Sequence, residues 1–445
     1  MSGVRGVIMR KVLFLVASGA LAYSLCLATP ASLFAEEYSL DDLCRIALAR
    51  SEKLKVAEEN LVIAETGKDK AFSYLLPRLT ATGGYTQYSE KRFTATGSIL
   101  QPESASAWGV RADETVSLSG RELTALGISR QNVTKSQYDL TAIRADYLLR
   151  FVAAAYYNVL MARKGLEIAD SNLERLMKYR EAAEKRLRVG EVTKTALLRA
   201  EGELSGAKSD RLQAQNGLEL AMAVLASNVG IRDPYTLRDV PATEGEIPGL
   251  PVFQERAFAV RADLKSMEVQ KKIAADQIRF TEGAYWPSVS VFGVYSGVDQ
   301  YPPTSSLNRE SIYGGVALNF PFFDGGLRKA EVSEAKARER QAALLYEDTK
   351  KGIEIEVQTA YLELVTQKGI LQFLNDQLAF ARDNYHAVAR QFDFGLANSL
   401  EVLDANTLLV SAERKAASAL YNYELALLRM KKATGTLTTT AAVKR

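Results

Sequence analysis

Hydrophobic positions along this chain of 445 residues change period from helix to strand and back, and then repeat the whole cycle. Residues 41–76 carry apolar side chains at helical spacing, and the run stops before Pro77; residues 252–286 do the same and stop before Pro287. Proline pushes the preceding residue out of the α region, so both boundaries have a steric cause. Strict alternation follows. Leu79, Ala81, Gly83 and Tyr85 share one face, as Val289, Val291, Gly293 and Tyr295 do in the second cycle. Alternation resumes after polar loops. Val110, Ala112, Val116 and Leu118 point one way and Arg111, Asp113, Thr115, Ser117 and Ser119 the other, with Glu114 the exception on the apolar side. In 313–322, Val316, Leu318, Phe320 and Phe322 share a face. The pattern predicts strands at 79–88, 108–118, 288–297 and 312–322, separated by loops 89–107 and 298–311. Strands of about ten residues suit a tilted membrane crossing. A small soluble sheet packed on the helices is the alternative, but its polar faces would then have to meet water.

Two very long helices follow, at about 122–187 and about 327–390; each would extend about 100 Å at 1.5 Å per residue. Leu371, Leu374, Leu378, Ala381, Tyr385 and Val388 recur in steps of three and four. In the first cycle Leu166, Ala169, Leu173, Leu176 and Ala183 take the matching positions, interrupted by Arg180. Such a seam packs helix on helix as a coiled coil. Proline is absent from 103–233 and from 322–445, whereas Pro234, Pro241, Pro248 and Pro251 cluster between. Since proline is excluded from helix interiors, two long helical regions joined by a linker are expected.

The cycles are one unit written twice. A shift of 210 aligns Ala47 with Ala257, Leu54 with Leu264, Pro77 with Pro287 and Tyr85 with Tyr295. A shift of 205 aligns Tyr156 with Tyr361, Gly190 with Gly395, Glu219–Ala221 with Glu424–Ala426, and Gly230 with Gly435. The expected organisation is a signal peptide at 1–35, a first repeat at 36–233, a linker at 234–251, a second repeat at 252–437 and a tail at 438–445. The fold class is mainly α with a small β part.

Charge and chemistry narrow the function. Met9-Arg10-Lys11 precedes a short apolar run from Val12 to Cys26, and a small residue, Ala35, precedes Glu36. This is the layout of a secretory signal, and the run is short for a membrane anchor. Leu25 before Cys26 disfavours lipidation. The segment 1–35 holds Arg5, Arg10 and Lys11 and no acidic residue, so removing it leaves 53 basic against 53 acidic residues. No basic field for nucleic acid survives. One cysteine, Cys44, then remains, so no intramolecular disulfide can form. One histidine, His386, beside the helical seam, supplies neither a His-based metal site nor a Ser-His or Cys-His arrangement. No phosphate, dinucleotide or other cofactor motif occurs. The most apolar later stretch, Tyr147–Ala162, is 16 residues long and contains Arg150, too short to span a bilayer as a helix.

Four segments of the second repeat, in order, resemble the TolC-like outer-membrane efflux family. Leu318–Gly326 (LNFPFFDGG) is similar to its strand-to-helix junction, and Phe394–Ala405 (FGLANSLEVLDA) to its helix-hairpin tip. Leu420–Ala426 (LYNYELA) and Ala433–Leu437 (ATGTL) are similar to its last helix and end. The likeness covers nearly all of 38–437. The first repeat departs: its junction Ser117–Glu122 (SLSGRE) lacks the proline and paired glycines, and its tip Val189–Leu198 (VGEVTKTALL) has Ala196 where an acidic residue is common.

The resemblance implies a passive conduit rather than an enzyme: the outer-membrane subunit of a tripartite efflux or type I export system, with helices reaching into the periplasm. A periplasmic coiled-coil adaptor is the alternative. It implies a homotrimer with a 12-stranded barrel and an α-helical tunnel, set in outer-membrane lipid and partnered by a periplasmic adaptor and an inner-membrane pump. Four strands cannot close a barrel, and open edges cannot face lipid, so physics points the same way. The resemblance makes Val189, Gly190, Val192, Thr193, Gly395, Leu396, Asn398 and Leu400 adaptor-contact tips, although the two glycines serve equally as plain turn residues. It makes Glu401 and Asp404, one helical turn apart, an acidic ring at the entrance; an ordinary solvated helix face is the bland alternative. Ala397 and Ala196 stand where the family can carry an arginine and an aspartate that tie the entrance shut.

Overall fold

A computed structural model describes residues 36–239, 245–304 and 307–437. The expected signal peptide and C-terminal tail lie outside the described residues, as does the stretch 240–244 of the expected linker. Two units separate. The smaller contains strand β1 (Glu36–Tyr38), which pairs in parallel with β6 (Tyr235–Leu237). The larger holds everything else and is described by itself below.

In that unit each repeat begins with a broken helix. The expected single helix at 41–76 is two, α1 (Leu40–Arg50) and α2 (Glu52–Ser73). The one expected at 252–286 is also two, α6 (Leu250–Val260) and α7 (Ala262–Glu282), followed by a short 3-10 turn. The bends fall on equivalent residues with nearly equal backbones: Ser51 at φ −64, ψ 124 and Arg261 at φ −57, ψ 125. Neither proline nor glycine marks them. Instead, apolar anchors on either side of each bend are buried: Ala47 and Leu54 fully, Ala257 fully and Leu264 nearly so. A buried leucine contributes about 1.5–3 kcal/mol, more than enough to fix one extended residue.

The four-stranded antiparallel sheet runs β2 (Arg78–Gln87), β5 (Ser104–Ser117), β7 (Ser288–Tyr301), β8 (Glu310–Asn319). β5 and β7 reach further into the loops than alternation predicted, because they pair with each other over their whole length, from Ser104↔Tyr301 to Ser117↔Ser288. The expected loop 89–107 also contains a small hairpin, β3 (Arg92–Phe93) with β4 (Ile99–Gln101). The register unites the predicted faces. Leu79 lies opposite Ala112, Val110 opposite Tyr295, and Val291 opposite Val316. This face is apolar yet open: Leu79, Tyr85, Ile312 and Val316 are all at least 70% exposed. Within the sheet β2 and β8 are edges, with β5 and β7 between them.

The long helices form as expected, with one difference. α8 (Leu327–Asp393) is unbroken over 67 residues. Its counterpart is α3 (Arg121–Tyr147) continued through a π-helical turn (Leu148–Ala153) into α4 (Ala154–Arg188). Both helices start after a glycine at positive φ, Gly120 at 69 and Gly326 at 90. From Gly120 to Ala155 the chain holds one residue more than from Gly326 to Ala360. A π turn absorbs one added residue without rotating the rest of the helix face, which keeps the seam in register. The return helices are α5 (Lys194–Val229) and α9 (Ser399–Ala433). Every predicted seam position is buried or half-buried, whereas His386 is exposed. No described helix is long and apolar enough to cross a membrane.

Candidate functional site

The long hairpins reverse at two tips built alike. α4 ends at Val189 and Gly190, the latter at φ +79; α8 ends at Phe394 and Gly395, the latter at φ +74. Gly190 N–H donates to the Leu187 carbonyl (3.1 Å) and Glu191 N–H to that of Arg186 (2.9 Å). Gly395 N–H donates to Phe392 (3.0 Å) and Leu396 N–H to Gln391 (2.8 Å). This paired closure of the last turn needs a left-handed residue, which is why glycine stands there.

The return helices start differently. Asn398, at φ −92, ψ 168, caps α9: its Oδ1 accepts from Leu400 N–H (2.9 Å) and Glu401 N–H (3.0 Å). Glu401 reaches back, Oε2 accepting from Asn398 N–H at 3.3 Å and Oε1 from Nδ2 at 3.0 Å. That reciprocal pair is a capping box, and its Asn-x-x-Glu spacing is a signal the sequence reading passed over. Thr193 holds the same place before α5 without a side-chain cap bond; its hydroxyl meets that of Thr195 at 2.7 Å.

Apolar side chains stand open at the tips beside polar ones. Val189 is 70% exposed, Phe394 80% and Leu396 79%. Leu400, Thr193 and Asn398 are exposed and Val192 is half-buried. Glu401 and Asp404 are both exposed on the first turns of α9, where Val402, Leu403 and Ala405 turn inward. Ala196 and Ala397 are half-buried, and Ala397 packs against the apolar cluster under the tips.

Contacts between the tips come from residues that sequence reasoning missed. The Arg186 guanidinium carbon lies over the Phe392 ring, 4.0 Å from its centroid, and the side chain donates to the Asp393 carbonyl (3.3 Å) at the end of α8. A cation there favours the helix's negative end. Tyr179 donates its hydroxyl to the Ser399 carbonyl (3.0 Å) and its ring lies 5.6 Å from that of Phe392. Burial pushes the Tyr179 phenol above its ordinary range, so it stays a donor. Deeper, Asn406 donates to Asn172 (2.8 Å, buried) and accepts from Arg175 (2.9 Å), which also pairs with Glu413 (3.3 Å). Between the tips lies a cleft of about 820 Å³ lined by Arg186, Glu191, Arg199, Phe394 and Asn398 among others. No local pattern announces these partners, because each pair joins positions more than 200 residues apart.

Comparison with known proteins fits this architecture. The chain is 24% identical over 402 residues to the outer membrane protein TolC of Vibrio cholerae serotype O1, covering 86% of this chain and 89% of that one. It is 25% identical over 365 residues to the cation efflux system protein CusC of Escherichia coli O6:H1, covering 76% and 75%. Crystal structures of CusC superpose with a TM-score of 0.77 at 20% identity, covering 93% of this chain and 96% of that one. The pattern of the outer membrane efflux protein family matches residues 43–230 and 254–436, one stretch in each repeat. The chain therefore belongs to the outer membrane efflux protein family, and is a channel subunit of the outer membrane rather than an enzyme or an adaptor.

Proposed function

We propose that three copies of this chain close a 12-stranded barrel in the outer membrane and continue it as a helical tunnel into the periplasm. The observation that carries this is the sheet. It has two edges, β2 and β8, and one exposed apolar face; both are untenable in a monomer and are resolved together by pairing edge to edge in lipid. On β5 a single carboxylate, Glu114, stands beside Val110, Ala112 and Val116 on that face; near the helix end of the strand it would lie towards the headgroups, where a charge costs least, and Asp299 and Glu310 on the same face stand at the opposite, loop end of β7 and β8. In this reading the chain comprises a removed signal at 1–35, two repeats at 36–233 and 252–437, and a joining segment. Cross-linking in detergent together with membrane fractionation tests the assembly. Trimers in the membrane fraction are expected; monomers in a wholly soluble fraction would refute it.

The tips are the docking end. Val189, Gly190, Val192, Thr193, Gly395, Leu396, Asn398 and Leu400 meet the hairpin of a periplasmic adaptor, which links the conduit to an inner-membrane pump. Exposed Val189, Phe394 and Leu396 support this, since apolar groups left open at a helix end call for a cover. Leu396→Trp abolishes export while trimer and insertion persist; unaltered export would count against the contact. Glu401 and Asp404 from three copies form an acidic ring at the entrance, favouring cations. Conductance of Glu401→Gln with Asp404→Asn in planar bilayers checks the ring. Glutamine still offers one oxygen to Asn398 N–H, so the backbone part of the capping box is kept while the charge is removed.

A further inference from the structure

The apolar face of the sheet has an opposite side. Register places on it Arg78, Thr80, Thr82 and Thr86 of β2, and Ser117, Thr115, Asp113 and Arg111 of β5. β7 adds Ser288, Ser290, Phe292 and Ser296, and β8 adds Asn319, Gly315, Tyr313 and Ser311. This wall is mostly hydroxyls, amides and small residues, with Phe292, Val294 and Val298 among them, and it carries three charges. They sit together. Arg78 lies directly across from Asp113, and Arg111 is two residues along β5 on the same side.

Arg111 is held in place from two directions. Its Nε donates to Asp113 Oδ1 at 3.1 Å, and its guanidinium carbon lies 4.8 Å from the centre of the Phe292 ring. Phe292 is itself seated: it pairs with Gly315 across β7–β8, and a Cβ at Gly315 would come within 2.8 Å of the ring. Glycine there leaves room for the ring to lie across β8, where it serves as a platform for the arginine. The bond to Asp113 uses Nε, so the terminal nitrogens of the fork make no hydrogen bond among the described residues, and the Arg111 side chain is half exposed. Arg78 is exposed and makes no side-chain hydrogen bond or ion pair among the described residues. Glu122 at the head of α3 is engaged by the Ser117 hydroxyl (2.6 Å) and N–H (3.2 Å). Two guanidinium groups against one carboxylate leave one net positive charge per chain.

We infer that Arg78 and Arg111 form an anion-attracting belt on the inner wall of the barrel, near its helix end, recognising solutes with carboxylate, phosphate or sulfate groups. The inference rests on the trimeric-barrel reading, in which the hydroxyl wall faces the lumen. Threefold symmetry then gathers six guanidinium groups and three carboxylates at one height. Arginine suits this position because its planar, permanently charged fork matches oxyanions and here is preorganised on a ring. The conduit so has two electrostatic stations of opposite sign: an acidic entrance at the tips and a basic belt before the exit. A ring of charge in a narrow, low-dielectric wall sets which ions dwell there.

The test is ion selectivity of the purified full chain in planar bilayers under a KCl gradient. It is run in a Glu401→Gln, Asp404→Asn background, so that the entrance does not mask the belt. Arg78→Gln with Arg111→Gln lowers the chloride-to-potassium permeability ratio about twofold or more, and Asp113→Asn raises it. Arg78→Gln alone, a residue with no partner to lose, gives a smaller fall in the same direction and covers the case in which the double variant fails to assemble. Channels that open normally with an unchanged ratio in both arginine variants would overturn the belt and leave the conduit standing. If the parent chain forms no channel at all, the barrel itself is refuted, and the belt with it.

Discussion

The bends at Ser51 and Arg261 share a backbone and little else. Both stop a helix for one extended residue, both are flanked by a buried alanine and leucine, and both lie against the glycine that ends the last helix of their repeat. In the first repeat Arg50 donates to the Gly230 carbonyl (2.9 Å), and Lys53 sits over the Phe151 ring at 4.0 Å. In the second, Arg261 is itself the bend residue and is 5% exposed. It bonds Asp263 through two nitrogens (3.0 and 2.6 Å), Glu356 (2.6 Å) and the Ala433 carbonyl (3.1 Å), while Lys432 holds the other oxygen of Glu356 at 2.7 Å. Shifts of 210 and 205 bring Lys53 onto Asp263 and Phe151 onto Glu356, so the contact site is inherited and its chemistry replaced. The lesson is that apolar anchors and terminal glycines dictate the bend, and polar side chains then differentiate around it.

Removing Arg261 breaks this comparison most severely. Arg261→Met leaves two carboxylates and a carbonyl facing an apolar stem, at a cost of about 2–4 kcal/mol, below the worst case because Asp263 and Glu356 still reach water. Ser51→Ala costs under about 0.5 kcal/mol, since Ser51 anchors no such network. Denaturant midpoints of the two variants should separate them. Acid gives a second handle. Burial alone would raise Asp263 and Glu356, but their bonds to Arg261 and Lys432 outweigh it and hold both below their ordinary values of 3.8 and 4.5. A depressed folded pKa stabilises above the unfolded value, and that gain is lost as pH falls below about 4 through the folded values. The second repeat should thus loosen first in acid, seen as earlier amide exchange around Ala262–Glu282 than around Glu52–Ser73.

The terminal glycines sharpen the comparison. Gly230 and Gly435 stand at φ +80 and +75, so alanine is strained at both by about 1–2 kcal/mol. At Gly230 the added carbon would meet Arg50 Cβ at 3.4 Å, an ordinary contact. At Gly435 it would meet backbone N and Cα of Arg261 at 3.1 Å, and backbone cannot swing aside. Gly435→Ala should therefore cost about 1 kcal/mol more than Gly230→Ala, read as the gap between their melting shifts.

How much of this was legible beforehand follows from the range of each interaction. The seam from Leu371 to Val388, the strand faces, the glycine turns and the duplication are periodic or local, and one sequence carries them. The bends at Ser51 and Arg261 were not legible, because no breaker residue stands there and burial of Ala47, Leu54, Ala257 and Leu264 imposes them. The π turn at Leu148–Ala153 shows only as an odd residue between Gly120 and Ala155, visible once the repeats are aligned by their glycines. The pair of β1 with β6 joins ends some 200 residues apart. At the tips, positions were readable, but Arg186 on Phe392 and Tyr179 on Ser399 depend on two hairpins lying side by side.

The tips repeat the lesson on a smaller scale and allow the finest test. Both helices end in the same glycine closure, and the return helices differ in one device: Asn398 with Glu401 caps α9, whereas Thr193 makes no side-chain cap before α5. Asn398→Ala removes the acceptor for Leu400 and Glu401 N–H, costing about 1 kcal/mol, or a factor of about five in local opening. Amide exchange at Leu400 and Glu401 should accelerate by that factor, while Thr193→Ala leaves Thr195 and Ala196 nearly unchanged. Glu401→Gln should change exchange far less than Asn398→Ala, because Asn398 Oδ1 still accepts from both amides and the glutamine oxygen still accepts from Asn398 N–H. That distinction matters for function. If Asn398→Ala alone altered cation preference as strongly as Glu401→Gln, the entrance would be responding to a frayed helix. If Glu401→Gln alone alters it with exchange little changed, the carboxylate acts by its charge.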